Sequence, residues 1–327
     1  MVCMQHDYGD PTRGYSYEYW NFAQSLINMG HEVIWYDYMA ELKRNGRDAM
    51  NHALIQTAEQ VSPDLAIFSL YTDQLDEQAV LQVRNHTKTF CFFHDDTWRV
   101  EFSRHWANYF DFFSSSDFDA VHKYRKLGLA NVVHMPFGIN QDLYHPLSNR
   151  RFEYDVSFVG GWHPVRAWLL GRLQKAGLKV SVFGHRWPGG MVSQDEMVRI
   201  FNSSAINLNL TNSTTWDMRY LLSSPKALAM HFKTQKIVEQ IKARHFEINA
   251  CNSFQLSYYV EGLERCYTIG EEIAVFNSPD ELLSKVRFYL DQPELRLAIA
   301  QAGYERTVKD HTYAQRFNDL FARMGIQ

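Results

Sequence analysis

The chain has 327 residues, with 33 Lys and Arg against 37 Asp and Glu, which gives a net charge of −4, and 46% of the residues are hydrophobic. This balance is typical of a globular protein, and its mild acidity argues against a nucleic-acid partner, which would need a basic surface. The length is about twice that of an average domain and predicts two domains.

No apolar run approaches the roughly 20 residues that cross a bilayer, and the N-terminus lacks a basic segment followed by an apolar one. We therefore expect a cytoplasmic protein. None of the four cysteines forms a C-x-x-C pair, which predicts reduced thiols without a disulfide framework or a zinc site. They are Cys3, Cys91, Cys251 and Cys266.

Short apolar runs alternate with stretches of helical length in the first half of the chain, as in parallel strands joined by helices. The predicted strands are residues 2–5, 32–37, 65–70, 89–93, 110–114 and 131–135. A helix over residues 17–29 is predicted to present one apolar face. That face consists of Tyr19, Phe22, Ala23, Leu26 and Ile27.

A second alternation follows, with predicted strands at residues 155–159, 179–183, 205–210, 254–256 and 273–276. The turn-rich segment before residue 146 separates the two series, so we predict domains at 1–146 and 147–309, followed by a helix over 310–327. Two such sheets would place a ligand cleft at the carboxyl ends of their strands.

The segment 239–247 carries two carboxylates, Glu239 and Glu247, with Lys242 and Arg244 between them. A helix over this segment would direct backbone N–H groups and two cations toward a diphosphate, while a glutamate accepts from ribose or sugar hydroxyls. The alternative is a solvated amphipathic helix.

Gly160, Gly161 and Arg166 form a second candidate phosphate site, because glycines let the backbone approach an anion and Arg166 lies near the start of a predicted helix. A structural turn is the alternative.

His94, Asp95 and Asp96 end a predicted strand with three polar groups at the edge of the cleft. Asp95 or Asp96 would bind acceptor hydroxyls or act as a base, and the alternative is a turn that caps a helix. The first loop faces the same cleft and is expected to contact the acceptor or a donor phosphate. Its candidate residues are Arg13, Gly14 and Tyr15.

Three runs of the second half are similar to the C-terminal domain of CgeB-like glycosyltransferases, which are related to retaining glycosyltransferase family four in the GT-B superfamily. They are residues 240–248, 267–273 and 310–316. Further segments resemble the family's first loop and second strand, its interdomain signature and the glycine turn of its nucleotide-binding domain. These are residues 7–14, 26–33, 136–146 and 156–161.

The resemblance implies an α/β GT-B fold, in which two Rossmann-like parallel-sheet domains face a central cleft and the last helix crosses back to the first domain. It further implies that Glu247 grips the ribose and that Glu239 lies near the donor sugar, with His94 beside that sugar. Gly184 and His185 lie where the superfamily contacts the base, with Trp187 as a second stacking candidate. Asn209 ends the next strand, where its side chain would also reach the base or ribose, as would that of Thr211.

The implied activity is hexosyl transfer from a nucleotide-diphosphate sugar to an unidentified hydroxyl of a glycan, lipid, protein or small molecule. Retention of configuration is implied by the resemblance alone; for an inverting enzyme, Asp95, Asp96 or His94 would be the base. The alternatives are a sugar-nucleotide epimerase and a non-catalytic scaffold.

No metal or cofactor is expected, because GT-B enzymes generally need none. The D-x-D run of Asp117 and Asp119 is interpreted as a helix start instead, with Asp117 as the N-cap and Asp119 as a first-turn acid. The basic face 122–126 is interpreted as a solvated helix face, with peripheral membrane contact as the alternative. Residues 214–236 are interpreted as a lid or acceptor loop, or as a packed helix.

Overall fold

The computed structural model describes residues 1–211, 213, 215–234, 236 and 239–326. The chain forms two compact units: unit 1 is Met1–Pro136 together with the residues from Tyr313 onward, and unit 2 is Phe137–Thr312. The sequence places the first division at residue 146 and the start of the last helix at residue 310.

In this described part, the strands are β1 (Leu65–Ser69), β2 (Lys88–Phe92), β3 (Phe112–Ser115), β4 (Val132–His134), β5 (Tyr154–Val159), β6 (Val180–Phe183), β7 (Ser204–Asn209), β8 (Gln255–Tyr258) and β9 (Ala274–Phe276). The α-helices are α1 (Gln24–Asn28), α2 (Tyr38–Asn45), α3 (Arg47–Val61), α4 (Glu77–Arg84), α5 (Val100–Trp106), α6 (Ala120–Lys126), α7 (Pro164–Lys175), α8 (Gln194–Asn202), α9 (Met218–Leu221), α10 (Pro225–Lys233), α11 (Arg244–Ala250), α12 (Pro279–Leu290), α13 (Pro293–Asp310) and α14 (Tyr313–Met324).

Unit 1 contains a parallel sheet in the order β1-β2-β3-β4. The predicted strands at 2–5 and 32–37 are reduced to single bridges, in which Val2 pairs with Tyr36 and Phe68. The reason is that the chain leaves the sheet at once and enters a 3-10 turn at Asp7–Gly9, so too few residues remain to extend a ladder.

The predicted helix at 17–29 contains a π-helical turn, Tyr19–Ala23, that continues into α1. A π turn inserts one residue and rotates the side chains of the next helical turns. As a result Phe22 and Leu26 are buried, whereas Ile27, predicted to face the core, is 48% exposed.

Unit 2 contains a parallel sheet in the order β6-β5-β7-β8-β9. All six residues of β7 are buried, as expected for a central strand covered on both faces. The apolar residues of α7 and α12 complete this core, among them Leu169, Leu173 and Val286. Where the chain enters and leaves the unit, the N–H of Ile139 donates to the carbonyl of His311 over 3.0 Å, so the two crossing segments run side by side.

The last helix, α14, belongs to unit 1. Tyr313 and Phe317 are fully buried, and their rings lie 4.9 and 5.7 Å from that of Phe22. The hydroxyls of Tyr17 and Tyr313 are 2.7 Å apart. Unit 1 therefore draws part of its core from the end of the chain.

Candidate functional site

The loops that follow β5 and β6 in unit 2 form one tightly packed edge. Gly184 has a φ of +122°, and a side chain at this position would overlap the carbonyl of Gly160. The N–H of Trp162 also donates to the carbonyl of His185 over 3.0 Å. Glycine is therefore required where the loop after β6 meets the loop after β5, at the strand ends where ligands of such sheets bind.

Glu247 lies in α11 and is only 4% exposed. The hydroxyl of Tyr144 donates to its Oε1 over 3.0 Å, and Nη1 of Arg244 lies 2.8 Å from its Oε2. Burial, with the charge of Glu247 as the next cause, raises the pKa of Tyr144 well above its usual range, so the phenol remains a donor. A donor on each oxygen thus holds this carboxylate in one orientation.

Arg166 is the second half-buried arginine of the site. Its Nη1 donates to the carbonyl of Gly161 over 2.9 Å, while its Nε is buried with no hydrogen-bond partner among the described residues. Burial lowers the pKa of Arg166, and the nearby Glu239 acts in the opposite direction. Buried donors are rarely left unpaired, so the unused N–H fits an anionic ligand.

The predicted helix over residues 239–247 is shorter in the structure, because α11 begins at Arg244. The ring of His245 contacts the residues before the helix, where its Nδ1 accepts from the N–H of Lys242 over 3.1 Å. The ammonium of Lys242 lies 5.4 Å from the centre of the Phe137 ring. Lys242 and Arg244 therefore precede or begin the helix rather than lying along it.

Glu239 lies outside this helix and has its own partners. Its Oε1 accepts from the N–H of Ser213 over 2.6 Å, and its Oε2 lies 2.6 Å from the ammonium of Lys236. Glu239 also interacts electrostatically with Arg166 and with His163, whose pKa burial lowers to about 4. The sequence interpretation did not single out Ser213, Lys236 or His163, which carry no recognisable spacing.

The candidate base contacts divide into exposed and buried residues. His185 is exposed, whereas the ring of Trp187 packs 6.1 Å from that of Phe158. Asn209 differs from the prediction, because it is 3% exposed and its amide donates to Gln255 over 2.9 Å inside the sheet layer. Thr211, at the same strand end, has a buried hydroxyl without a partner in the part of the chain that the structure describes.

Within the predicted lid stretch, residues 214 and 235 lie outside the described residues. The rest includes α10, whose only buried residue is Ala227, so it differs from a packed helix. Trp216, Leu222 and Phe232 are 77%, 76% and 73% exposed. A cavity of about 270 Å³ lies between this stretch and the start of α7. Its polar lining includes His163, Ser213, Tyr220, His231, Lys233 and Thr234.

In unit 1, His94 follows β2 and contacts a residue that the sequence interpretation missed. Its Nε2 lies 2.8 Å from Oε1 of Glu18, and the same oxygen accepts from the hydroxyl of Ser69 over 2.5 Å. Glu18 is 6% exposed. The one sequence feature that could have indicated Glu18 is its position, an acidic residue one helical turn before the apolar Phe22.

Asp96 does not reach the surface, in contrast to its predicted role in acceptor binding. It is 1% exposed, and its carboxylate accepts from the hydroxyls of Ser115 and Ser116. Burial raises its pKa to about 6. Asp95 is more accessible and interacts electrostatically with Arg99. The two neighbouring acids therefore occupy different environments.

The predicted residues of the first loop are held in place locally. Nη2 of Arg13 lies 2.7 Å from Asp7, and Gly14 has a φ of +84° with open space around it. The ring of Tyr15 stacks on Tyr19 at 4.1 Å and on His6 at 5.2 Å.

The D-x-D run begins a helix, with one difference from the prediction. Asp119, not Asp117, occupies the N-cap position of α6, because Asp117 instead accepts from the N–H of Asp119 over 2.8 Å. Throughout the described ranges, no three His, Cys, Asp or Glu side chains are grouped to hold a metal. No helix in those ranges combines the length and apolar character needed to span a membrane.

Residues 166–322 match a protein family described as glycosyl transferase-like. Among curated proteins, spore protein CgeB of Bacillus subtilis (strain 168) is 23% identical over 208 residues. That match covers 58% of this chain and 60% of CgeB, so the chain spans less than two thirds of this relative.

Solved structures show the same fold. Sucrose-phosphate synthase from Thermosynechococcus elongatus superposes with a TM-score of 0.58 at 12% identity, covering 90% of this chain and 81% of that one. Anabaena HepE, solved with UDP and glucose, gives a TM-score of 0.56 at 10% identity, with 84% and 81% covered. These identities are low, so the likeness establishes the two-sheet architecture alone.

Proposed function

We propose that this chain, which matches a glycosyl transferase-like family over residues 166–322 and resembles CgeB, is a CgeB-like GT-B glycosyltransferase that transfers a sugar from a nucleotide-diphosphate donor to a hydroxyl acceptor. The donor would bind unit 2 and the acceptor unit 1. The acceptor would be a glycan, a lipid, a protein or a small molecule. UDP is the first nucleotide to test, because HepE was solved with UDP and glucose.

The observation that carries the proposal is the buried group around Glu247. Its carboxylate is oriented by Tyr144 and Arg244, and a carboxylate is the natural acceptor for the two hydroxyls of a ribose. Arg166 adds a half-buried guanidinium whose buried Nε is unused among the described residues. One fixed acceptor and one unused cationic donor fit the ribose and phosphate of a nucleotide.

Three cations would stabilise the departing diphosphate: Lys242, Arg244 and Arg166. Charges that are already in place stabilise the negative charge that develops as the bond to the sugar breaks. We propose on this basis that no metal is needed, since these side chains supply the positive charge a metal would contribute. We also propose retention of the anomeric configuration, which the family resemblance implies.

Glu239 would lie beside the donor sugar. Lys236 and Ser213 orient its carboxylate, and its interaction with Arg166 associates it with the proposed phosphate site. We expect Glu239→Gln to keep nucleotide binding while lowering turnover, because the amide retains the shape of the side chain and loses its charge.

Thermal unfolding in the presence of UDP, GDP, ADP, CMP or dTDP, without metal, tests the donor assignment. A ligand that binds only the folded state raises the melting temperature. We expect one nucleotide to do so for the wild type and not for Glu247→Ala, while Glu239→Gln retains the shift. No shift with any of the five would contradict the proposal and favour a non-catalytic scaffold.

The corresponding nucleotide sugars then distinguish the reactions. Hydrolysis of the donor, or transfer to an added acceptor, supports the glycosyltransferase. Interconversion of the sugar without loss of nucleotide would instead identify an epimerase. The anomer of the transfer product reports retention or inversion.

A further inference from the structure

A buried carboxylate of unit 1 contacts a histidine that reaches the surface. Glu18 is 6% exposed, whereas the side chain of His94 is 25% exposed. His94 and Ser69, the two residues bonded to Glu18, follow β2 and end β1, respectively. The pair therefore lies at the carboxyl ends of parallel strands, the edge at which ligands bind.

We propose that Glu18 is a positioning residue that fixes the tautomer of His94, so that Nδ1 of His94 accepts the hydrogen of a substrate hydroxyl. The identity of that substrate rests on the proposed function, whereas the contact between Glu18 and His94 is observed independently of it.

The tautomer follows from the chemistry of the contact. An ionised carboxylate has no hydrogen to give, so the 2.8 Å contact requires Nε2 to carry the proton. The lone pair is then on Nδ1, the nitrogen able to accept. Burial raises the pKa of Glu18, but the hydrogen bonds from His94 and Ser69 act in the opposite direction, and the pKa is lowered overall.

The titratable neighbours Cys3 and Tyr38 do not change protonation state near neutral pH, so they do not alter the contact between Glu18 and His94. Cys3 and Tyr38 also interact electrostatically with Glu18, and burial raises the pKa of the Cys3 thiol and of the Tyr38 phenol well above the ordinary range. The ring of Tyr17 lies edge-on to His94 at 5.6 Å. Asp95, the next residue, interacts electrostatically with Arg99.

The local backbone also supports a functional role. Glu18 directly precedes the π-helical turn Tyr19–Ala23, and single π turns occur frequently at functional sites. The extra residue changes the direction of the helix after Glu18, so Phe22 packs in the core while Glu18 contacts His94.

Two substrate hydroxyls share the required chemistry. If the hydroxyl belongs to the acceptor, its proton passes to Nδ1 while its oxygen bonds to C1 of the sugar, and the configuration at C1 is inverted instead of retained. The bond from C1 to the diphosphate oxygen breaks, and the diphosphate keeps the electron pair. If the hydroxyl belongs to the donor sugar, no proton is transferred, and His94 orients the sugar.

The first test is nitrogen-15 NMR of the histidine rings in the full chain, with His94 assigned from His94→Gln. We expect the Nε2-protonated tautomer in the wild type and a mixture of the two tautomers in Glu18→Gln, because the Gln amide can donate as well as accept. Ser25→Ala removes another buried polar group of the same helical segment and should leave His94 unchanged. Glu18→Asp, which withdraws the carboxylate by one methylene, serves if Glu18→Gln does not fold.

Kinetics identify the hydroxyl. Glu18→Gln should reduce turnover by about tenfold or more, because His94 no longer presents Nδ1 as a fixed acceptor. An equal loss in donor hydrolysis and in transfer would assign the donor sugar, and a loss confined to transfer would assign the acceptor. An unaltered tautomer of His94 in Glu18→Gln would overturn the proposal, whether or not transfer is observed.

Discussion

The hydroxyl of Tyr144 donates a hydrogen bond to Oε1 of Glu247, which lies 103 residues later in the chain. Both residues are buried, at 2% and 4% exposure. Tyr144 belongs to the segment by which the chain enters unit 2, and Glu247 to the helix of the proposed nucleotide site. The entry segment thus helps to orient the carboxylate proposed to bind ribose.

Tyr144→Phe should weaken nucleotide binding without unfolding unit 2. The loss of a hydrogen bond to a charged carboxylate costs about 1.5 kcal/mol or more, which corresponds to roughly a tenfold or larger increase in Kd. Isothermal titration with the nucleotide found by thermal unfolding measures the change. Tyr289→Phe removes a phenol hydroxyl from α12 in the same unit and should leave Kd unchanged. Equal Kd values for Tyr144→Phe and wild type would show that the bond plays no part in binding.

Gly184→Ala should destabilise unit 2 more than Gly177→Ala. Both glycines have positive φ, at +122° and +86°, so each substitution carries a backbone cost of about 1–2 kcal/mol. Only at position 184 does the new Cβ overlap the backbone of Gly160, whereas position 177 has open space. Overpacking adds about 1–3 kcal/mol, measurable as a lower midpoint of urea unfolding. Equal midpoints for the two variants would contradict the close approach of the loops.

Asp96 should make unit 1 less stable as the pH rises from 4 to 6. Its pKa is raised from 3.8 to about 6, so the folded state holds a proton that the unfolded state releases. The stabilisation by the protonated Asp96 is fully present below pH 4. It is lost between pH 4 and 6 and lowers the free energy of unfolding by about 3 kcal/mol in total. Urea unfolding at several pH values measures the slope.

Asp96→Asn is the matched variant for that measurement. The amide is neutral at every pH and resembles the protonated acid, so the slope between pH 4 and 6 should flatten. Wild type and variant with the same slope would assign the pH dependence to other groups.

Truncation after Asp310 should destabilise unit 1 and lower turnover. It removes Tyr313 and Phe317, both fully buried, and each large apolar side chain contributes about 1.5–3 kcal/mol by its burial. Chemical denaturation and donor turnover are compared between the full chain and the chain truncated after Asp310. A chain that ends after Met324 keeps α14 and should behave as wild type. Unchanged stability and kinetics on truncation at 310 would refute this role of α14.

Much of the fold follows from local patterns. The strands β1 to β9 were predicted within about two residues at each end, because a buried parallel strand is a short apolar run bounded by turns. The prediction failed where one element depends on another: residues 32–37 have a strand pattern but pair only at Tyr36.

The candidate site likewise contains some residues that the sequence suggests and others that only the structure reveals. Arg244 and Arg166 could be proposed from the sequence because cations near glycine turns and helix starts suggest an anion site, and Glu247 could be proposed from the family resemblance. The partners of those residues could not be, since Tyr144, Ser213 and Lys236 are ordinary polar residues until the chain brings them to a carboxylate.

The sequence does not determine which charged side chains are buried. Asp95 and Asp96 are neighbours with the same chemistry, yet only the fold places Asp96 against Ser115 in the interior. Glu18 and His94 are 76 residues apart, and no spacing rule connects them. The sequence determined which segments become strands and where charges occur along them; the packing of the strands decided which charges meet, because contacts and solvent exposure arise only when distant segments come together.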